Sequence, residues 1–150
     1  MAITKEEVAE AVRAWCQAWH TGDIETLLVM EAPSFGFGFR PFKPRDHAAR
    51  GEGEHRQSLQ QFFGQKEAYT LVLEDFETAV VGGEVGLAWG TFLETWQDKG
   101  QPQEQAQVRF SNVLTKGERG WQVVFYHRHI QPFAADGRYP KALTVVSPAA

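Results

Sequence analysis

Residues 104–130 read EQAQVRFSNVLTKGERGWQVVFYHRHI, and no other stretch restricts the fold as tightly. Two runs rich in β-branched and aromatic residues flank Lys116-Gly117-Glu118-Arg119-Gly120, which predicts two long antiparallel strands and a tight connection. On the first, Val108, Phe110 and Leu114 share one side, and Arg109, Ser111 and Val113 share the other. On the second, Trp121, Val123, Phe125, His127 and His129 point one way, and Val124, Tyr126, Arg128 and Ile130 point the opposite way. Neither side of the second run is simply polar. A strand apolar on both faces is covered on both, which predicts helices against one side and a partner subunit or further protein against the other.

Upstream, the period of the apolar residues changes from helical to two-residue. Thr4 and Glu7 have capping-box spacing ahead of Val8, Val12, Trp15 and Trp19, which mark one face of an amphipathic helix over residues 5–20. Thr21-Gly22 stops it, Asp23 caps a second helix over 24–30, and Pro33 follows its end. Alternating phenylalanines in SFGFGFRPF predict a short edge strand over 34–42, then an irregular loop to about residue 53. Leu59, Phe62 and Phe63, with His55 one turn before Leu59, predict a third helix over 54–65. From residue 68 the alternation is that of strands, with a Gly82-Gly83 turn, a further strand over 86–96 and another turn at 98–102. A short docked strand is expected over 142–146, in a tail that starts at 132. Helices first and a long antiparallel meander afterwards predict one α+β domain over 1–131, with the helices on a concave sheet face that encloses a pocket.

The formal charge of −4 gives no general attraction to nucleic acid or anionic membranes, so any cationic site must be local. A lone cysteine, Cys16, among apolar residues predicts an inert buried thiol and fits a reducing compartment. Acidic residues near the N-terminus and the lack of a long apolar run predict a cytoplasmic protein.

The helix-Gly-Asp-helix pattern at 19–27, the Gly-bearing loop before the third helix and the final R-F-S-x-V-L-x-K-x-x-x-G-W-Q-V-V-F-Y-H-R pattern resemble the nuclear transport factor 2-like, or SnoaL-like, superfamily. Within it the chain is similar to the association domain of calcium/calmodulin-dependent protein kinase II and its freestanding bacterial relatives. The resemblance implies a cone-shaped, cystatin-like fold, a pocket between sheet and helices, and a homodimer formed through the outer sheet face. It also implies that Arg109, Arg128 and His55 line the pocket, with Phe63 near its mouth. Thr91 stands where the association domain carries a further arginine, so the pocket is expected to be less cationic. A kinase-assembly role does not transfer.

Two guanidiniums on one inward face need an anion, and an arginine fork matches a carboxylate with a bond of roughly 1.5–3 kcal/mol where water is limited. The alternative is that each arginine pairs with an internal acid such as Glu94 or Asp75, or is simply exposed. His127 and His129 share one strand face but fall short of the three or four ligands of a zinc site, and His127 is expected to be a hydrogen-bonded core residue. No metal and no cofactor are expected. His55 is the candidate catalytic base and Tyr126 a candidate hydrogen-bond donor, and Thr91, Ser111, Trp19, Phe63 and Trp89 complete the expected lining. The leading expectation is a binding module for a small, partly apolar carboxylate. The alternatives are a SnoaL-like isomerase, cyclase or dehydratase acting in the same pocket, and an architectural homodimer whose pocket is vestigial.

Overall fold

The computed structural model describes residues 2–37 and 52–132. Helix α1 spans Lys5–Thr21, and both arms of its capping box form: Glu7 N–H donates to Thr4 Oγ1 at 3.1 Å, and Thr4 N–H donates to Glu7 Oε2 at 2.8 Å. Its buried stripe is Val8, Ala11, Val12, Trp15, Cys16 and Ala18. Gly22 closes the helix with φ +68°, a left-handed conformation that a residue with a Cβ rarely adopts. Helix α2, Ile24–Met30, is capped by Asp23 and buries Leu27, Leu28 and Met30.

Strand β1, Glu31–Phe37, follows at once, so it starts earlier in the chain than the phenylalanine alternation predicts. Helix α3 is Glu52–Gly64, followed by strands β2 Lys66–Val81, β3 Val85–Asp98, β4 Glu104–Gly117 and β5 Gly120–Pro132. Residues 38–51, which hold the second part of the strand expected over 34–42 and most of the loop expected to about residue 53, lie outside the described residues, as does the expected strand over 142–146.

The five strands form one sheet in the order β1-β5-β4-β3-β2. Strands β2 to β5 are antiparallel to their neighbours, and β1 joins the edge of β5 in parallel. Two irregularities shape it. Between β2 and β3 the register shifts at Leu73/Phe76, and there β3 presents Gly90, where any Cβ would overlap the Asp75 carbonyl and the Phe76 backbone. Between β4 and β5 the register shifts after Val113, so that Val123 opposite Leu114 and Tyr126 opposite Asn112 are both buried. One extra residue at the second shift inverts the face alternation of β5.

The helices cover one face of the sheet. Trp15, Leu27, Phe92, Val108, Leu114 and Val123 are fully enclosed there, each burial stabilising the fold by about 1.5–3 kcal/mol. On the opposite face three rows of register partners run across the sheet: Leu87–Val113–Phe125, Trp89–Ser111–His127 and Thr91–Arg109–His129. Trp89 is 46% exposed and Phe125 42% exposed on that face.

Candidate functional site

Between α1, α3 and the inner sheet face lies a cavity of about 410 Å³. Trp15 and Trp19 come from α1, Ser58, Leu59 and Phe62 from α3, and Lys66, Tyr69 and Leu71 from β2. Glu94 and Trp96 are supplied by β3, and Tyr126, Arg128 and Ile130 by β5. The lining is rich in aromatic residues, and rings from α1, α3 and β2 meet edge to face. Trp19 packs on Phe62 with centroids 5.5 Å apart, and Phe62 packs on Tyr69 at 5.3 Å.

Two buried carboxylates organise the polar groups. Glu31 sits at the junction of α2 and β1, with its side chain fully enclosed. Its Oε2 accepts the indole N–H of Trp15 at 2.8 Å and that of Trp19 at 3.1 Å, while Oε1 lies 2.7 Å from His55 Nε2. Tryptophans four residues apart lie on one helix face, so α1 can aim both indoles at one oxygen. A carboxylate so buried is tolerated because its lone pairs meet donors.

Glu94 forms the second cluster. The Arg128 guanidinium straddles its carboxylate, Nη2 to Oε1 at 2.6 Å and Nη1 to Oε2 at 3.4 Å, and the Tyr69 hydroxyl donates to Oε2. Both members of the ion pair are enclosed, their side chains 12% and 7% exposed. Burial raises the Tyr69 hydroxyl well above its ordinary pKa, and the adjacent Glu94 charge raises it further. Burial also raises Tyr126. For Arg128, burial opposes the charge, but the oxygens of Tyr126 and Glu94 outweigh it and the guanidinium is held protonated. Toward the solvent end, Lys66 Nζ bonds Asp98 Oδ1 at 2.6 Å and stands 4.3 Å from the Phe62 ring centroid.

A helix pair folded onto one face of a curved antiparallel sheet, with a polar-anchored aromatic cavity between them, invites comparison with known domains. The family model for the SnoaL-like domain matches residues 8–130. The chain belongs to this SnoaL-like family. No curated protein matches the chain. Among solved structures, a candidate calcium/calmodulin-dependent protein kinase II association domain from Xanthomonas campestris superposes with TM-score 0.66 at 17% identity, over 85% of this chain and 88% of that one. A ketosteroid isomerase-like protein from Erwinia carotovora atroseptica superposes with TM-score 0.67 at 16% identity, over 84% and 95%. A candidate dehydratase of the nuclear transport factor 2-like family from Streptomyces avermitilis gives TM-score 0.66 at 22% identity, over 87% and 97%. At these identities the likeness establishes the shared α+β fold.

In this SnoaL-like domain the residues expected to form one site divide between two faces. Arg128, Tyr126 and Trp19 line the cavity, and His55 reaches Glu31 one turn before Ser58 and Leu59. Phe63 packs behind the lining, against Trp19 at 5.5 Å and Tyr69 at 5.8 Å. Arg109, Ser111, Thr91 and Trp89 stand on the outer sheet face, so the expected arginine pair does not form. The reason is register: Arg128 lies opposite Phe110, while Arg109 lies between Thr91 and His129. The inner face of β4 is its apolar one, and this turns Arg109 out. His127 shares that outer face and is exposed, so it is not a core residue of this chain.

Three charged residues of the site were not anticipated as part of it. Glu94 figured only as an internal partner for arginine, which is what it is for Arg128. Lys66 sits in a polar Gln-Lys-Glu triplet that reads as a connection. Glu31 lies between an apolar helix and Ala32-Pro33, and two tryptophans at helical spacing that need a common acceptor were the signal that could have found it. Among the described residues, no group of three His, Cys, Asp or Glu is arranged to hold a metal ion, and no helix is long and apolar enough to cross a membrane.

Proposed function

We propose that this domain binds a compact, partly apolar small molecule in the cavity between α1, α3 and the sheet. The supporting observation is the lining itself: aromatic walls with a few convergent polar groups, the composition of small-molecule sites. Arg128 enters the site as a guanidinium already neutralised by Glu94, so this pair offers a polar wall more than a free positive charge. In a thermal-shift screen of compact aromatic compounds, at least one should raise the melting temperature of the native chain, because a ligand selective for the folded state stabilises it by mass action. Leu71→Trp, which fills the cavity from β2, should abolish that rise. A screen with no cavity-dependent shift would count against the reading.

One observation favours a second reading, proton transfer beside the same cavity, whose lining residues Trp15 and Trp19 share the Glu31 carboxylate with His55. His55 and Glu31 form a histidine–carboxylate pair, and such a pair can orient an imidazole to take a proton from an acidic C–H. Structural neighbours include proteins named as a ketosteroid isomerase-like protein and as a candidate dehydratase. Deuterium incorporation from D2O into enolisable ketones would test it: incorporation should require His55, and a His55→Ala protein that exchanges as fast as the native one would end the reading.

The outer face supports a homodimer. Trp89, Phe125 and their register partners form a partly apolar surface that the chain's own helices leave uncovered.

A further inference from the structure

Among the described residues, Lys66 makes fewer hydrogen bonds than the other charged groups of the lining, Glu94 and Arg128. It opens β2, lines the cavity, and its side chain is only 11% exposed. An ammonium carries three donor hydrogens. Among the described residues, the partners of Lys66 are Asp98, which takes one hydrogen bond, and the face of Phe62. The acid that does bond it is itself 45% exposed, whereas the Glu94 side chain deeper in the cavity is 7% exposed.

Charge around the lumen points the same way. Among the described residues, the lining contains three charged side chains, Lys66, Glu94 and Arg128. Glu94 and Arg128 cancel each other through two contacts. Lys66 is balanced instead by Asp98, a half-exposed carboxylate that is not among the lining residues. A cation beside an aromatic cavity, held by a solvent-facing carboxylate, is a group that an incoming anion can share or take over.

We propose that Lys66 makes the cavity selective for aromatic organic acids, with the ligand's carboxylate on the Lys66 ammonium and its ring system inside, among Trp19, Leu59, Phe62 and Tyr69. The inference rests on the small-molecule reading of the cavity and names the class of ligand. It assigns to Lys66 the anion-recognition role that the sequence suggests for a pair of arginines.

Paired probes separate the two claims: 2-naphthoate and its neutral counterpart 2-naphthamide, titrated calorimetrically against the native chain, Lys66→Met, Lys66→Arg and Asp98→Asn. The native chain should prefer the acid by about tenfold, one charge-assisted hydrogen bond's worth of discrimination. Lys66→Met should lose that preference while binding the amide as before, and Lys66→Arg should keep it. Asp98→Asn removes the competing carboxylate at an exposed position and should tighten the acid alone. If Lys66→Met unfolds, the Asp98→Asn arm still decides, because unchanged acid affinity there overturns the proposal. Equal binding of acid and amide by the native chain, or a preference that survives in Lys66→Met, overturns the Lys66 assignment and leaves the cavity reading standing. Binding of neither probe overturns both.

Discussion

Replacing Glu94 with glutamine removes the charge that balances Arg128 while keeping the side chain's shape and one acceptor oxygen for Tyr69. Arg128 is then a protonated guanidinium beside Phe92 and Tyr126 that has lost the Glu94 carboxylate. Breaking one member of a buried ion pair costs about 3–5 kcal/mol. The lower end, about 3 kcal/mol, applies here because Arg128 borders the cavity and keeps part of its hydration there. For a domain of this length each kcal/mol lowers Tm by roughly 2–4 °C, so Glu94→Gln should melt about 6–12 °C below the native chain. The double variant Glu94→Gln/Arg128→Met leaves no orphaned charge and should recover more than half of that loss, since paired removal of a buried ion pair is close to neutral. Scanning calorimetry of the native chain, both single variants and the double variant closes the cycle. A Glu94→Gln Tm within about 2 °C of native would refute the reasoning, because it would mean that cavity water already solvates the guanidinium.

Further outcomes follow from other parts of the molecule. Glu31→Leu removes the acceptor of two indole N–H groups and the carboxylate bonded to His55 and should cost about 3 kcal/mol in a urea titration, more than His55→Ala, which removes one of those partners. Gly90→Ala forces a methyl into the Asp75–Phe76 backbone of the neighbouring strand and should cost about 3 kcal/mol by the same titration. Burial pushes the Cys16 thiol up to about 12 from 9.0, so the folded chain keeps a proton that the unfolded chain releases above pH 9. Stability should therefore fall as pH rises from 9 toward 12, and Cys16→Ala should flatten that fall, as followed by Tm against pH. Sedimentation at micromolar concentration should find a dimer that Trp89→Glu dissociates; a native chain found only as monomer would contradict the outer-face assignment.

The elements were legible in the residues because local rules agreed with the tertiary arrangement. Thr4 and Glu7 cap where their spacing predicts, Val8, Val12 and Trp15 are fully buried, and Gly22 ends α1 in the left-handed conformation. Which residues meet across the sheet was less legible. Alternation sorts Arg109 from Phe110 within β4, but only register decides which of the two faces Arg128, and hydrogen-bond pairing chooses Phe110. The irregularity after Val113 compounds this, because it buries Val123 on the same side as Tyr126, three positions on, against the expected parity. Glu31, Glu94 and Lys66 owe their site roles to hydrogen bonds across 12 to 34 positions of sequence, which their own periodicity does not reveal.

Glu31 also holds the chain together in a second way: its backbone N–H closes α2 on Leu27 O, while its side chain gathers Trp15, Trp19 and His55. Selection acting on abundance and selection acting on chemistry would therefore fall on the same codon. In a saturation-mutagenesis survey scored by growth or fluorescence, changes at Glu31 would register as loss of protein, and any part it plays in turnover would stay hidden. Only variants that keep an acceptor in place, such as Glu31→Gln in soluble, folded form, would separate the two pressures, which makes that position the first to follow when related chains diverge in activity.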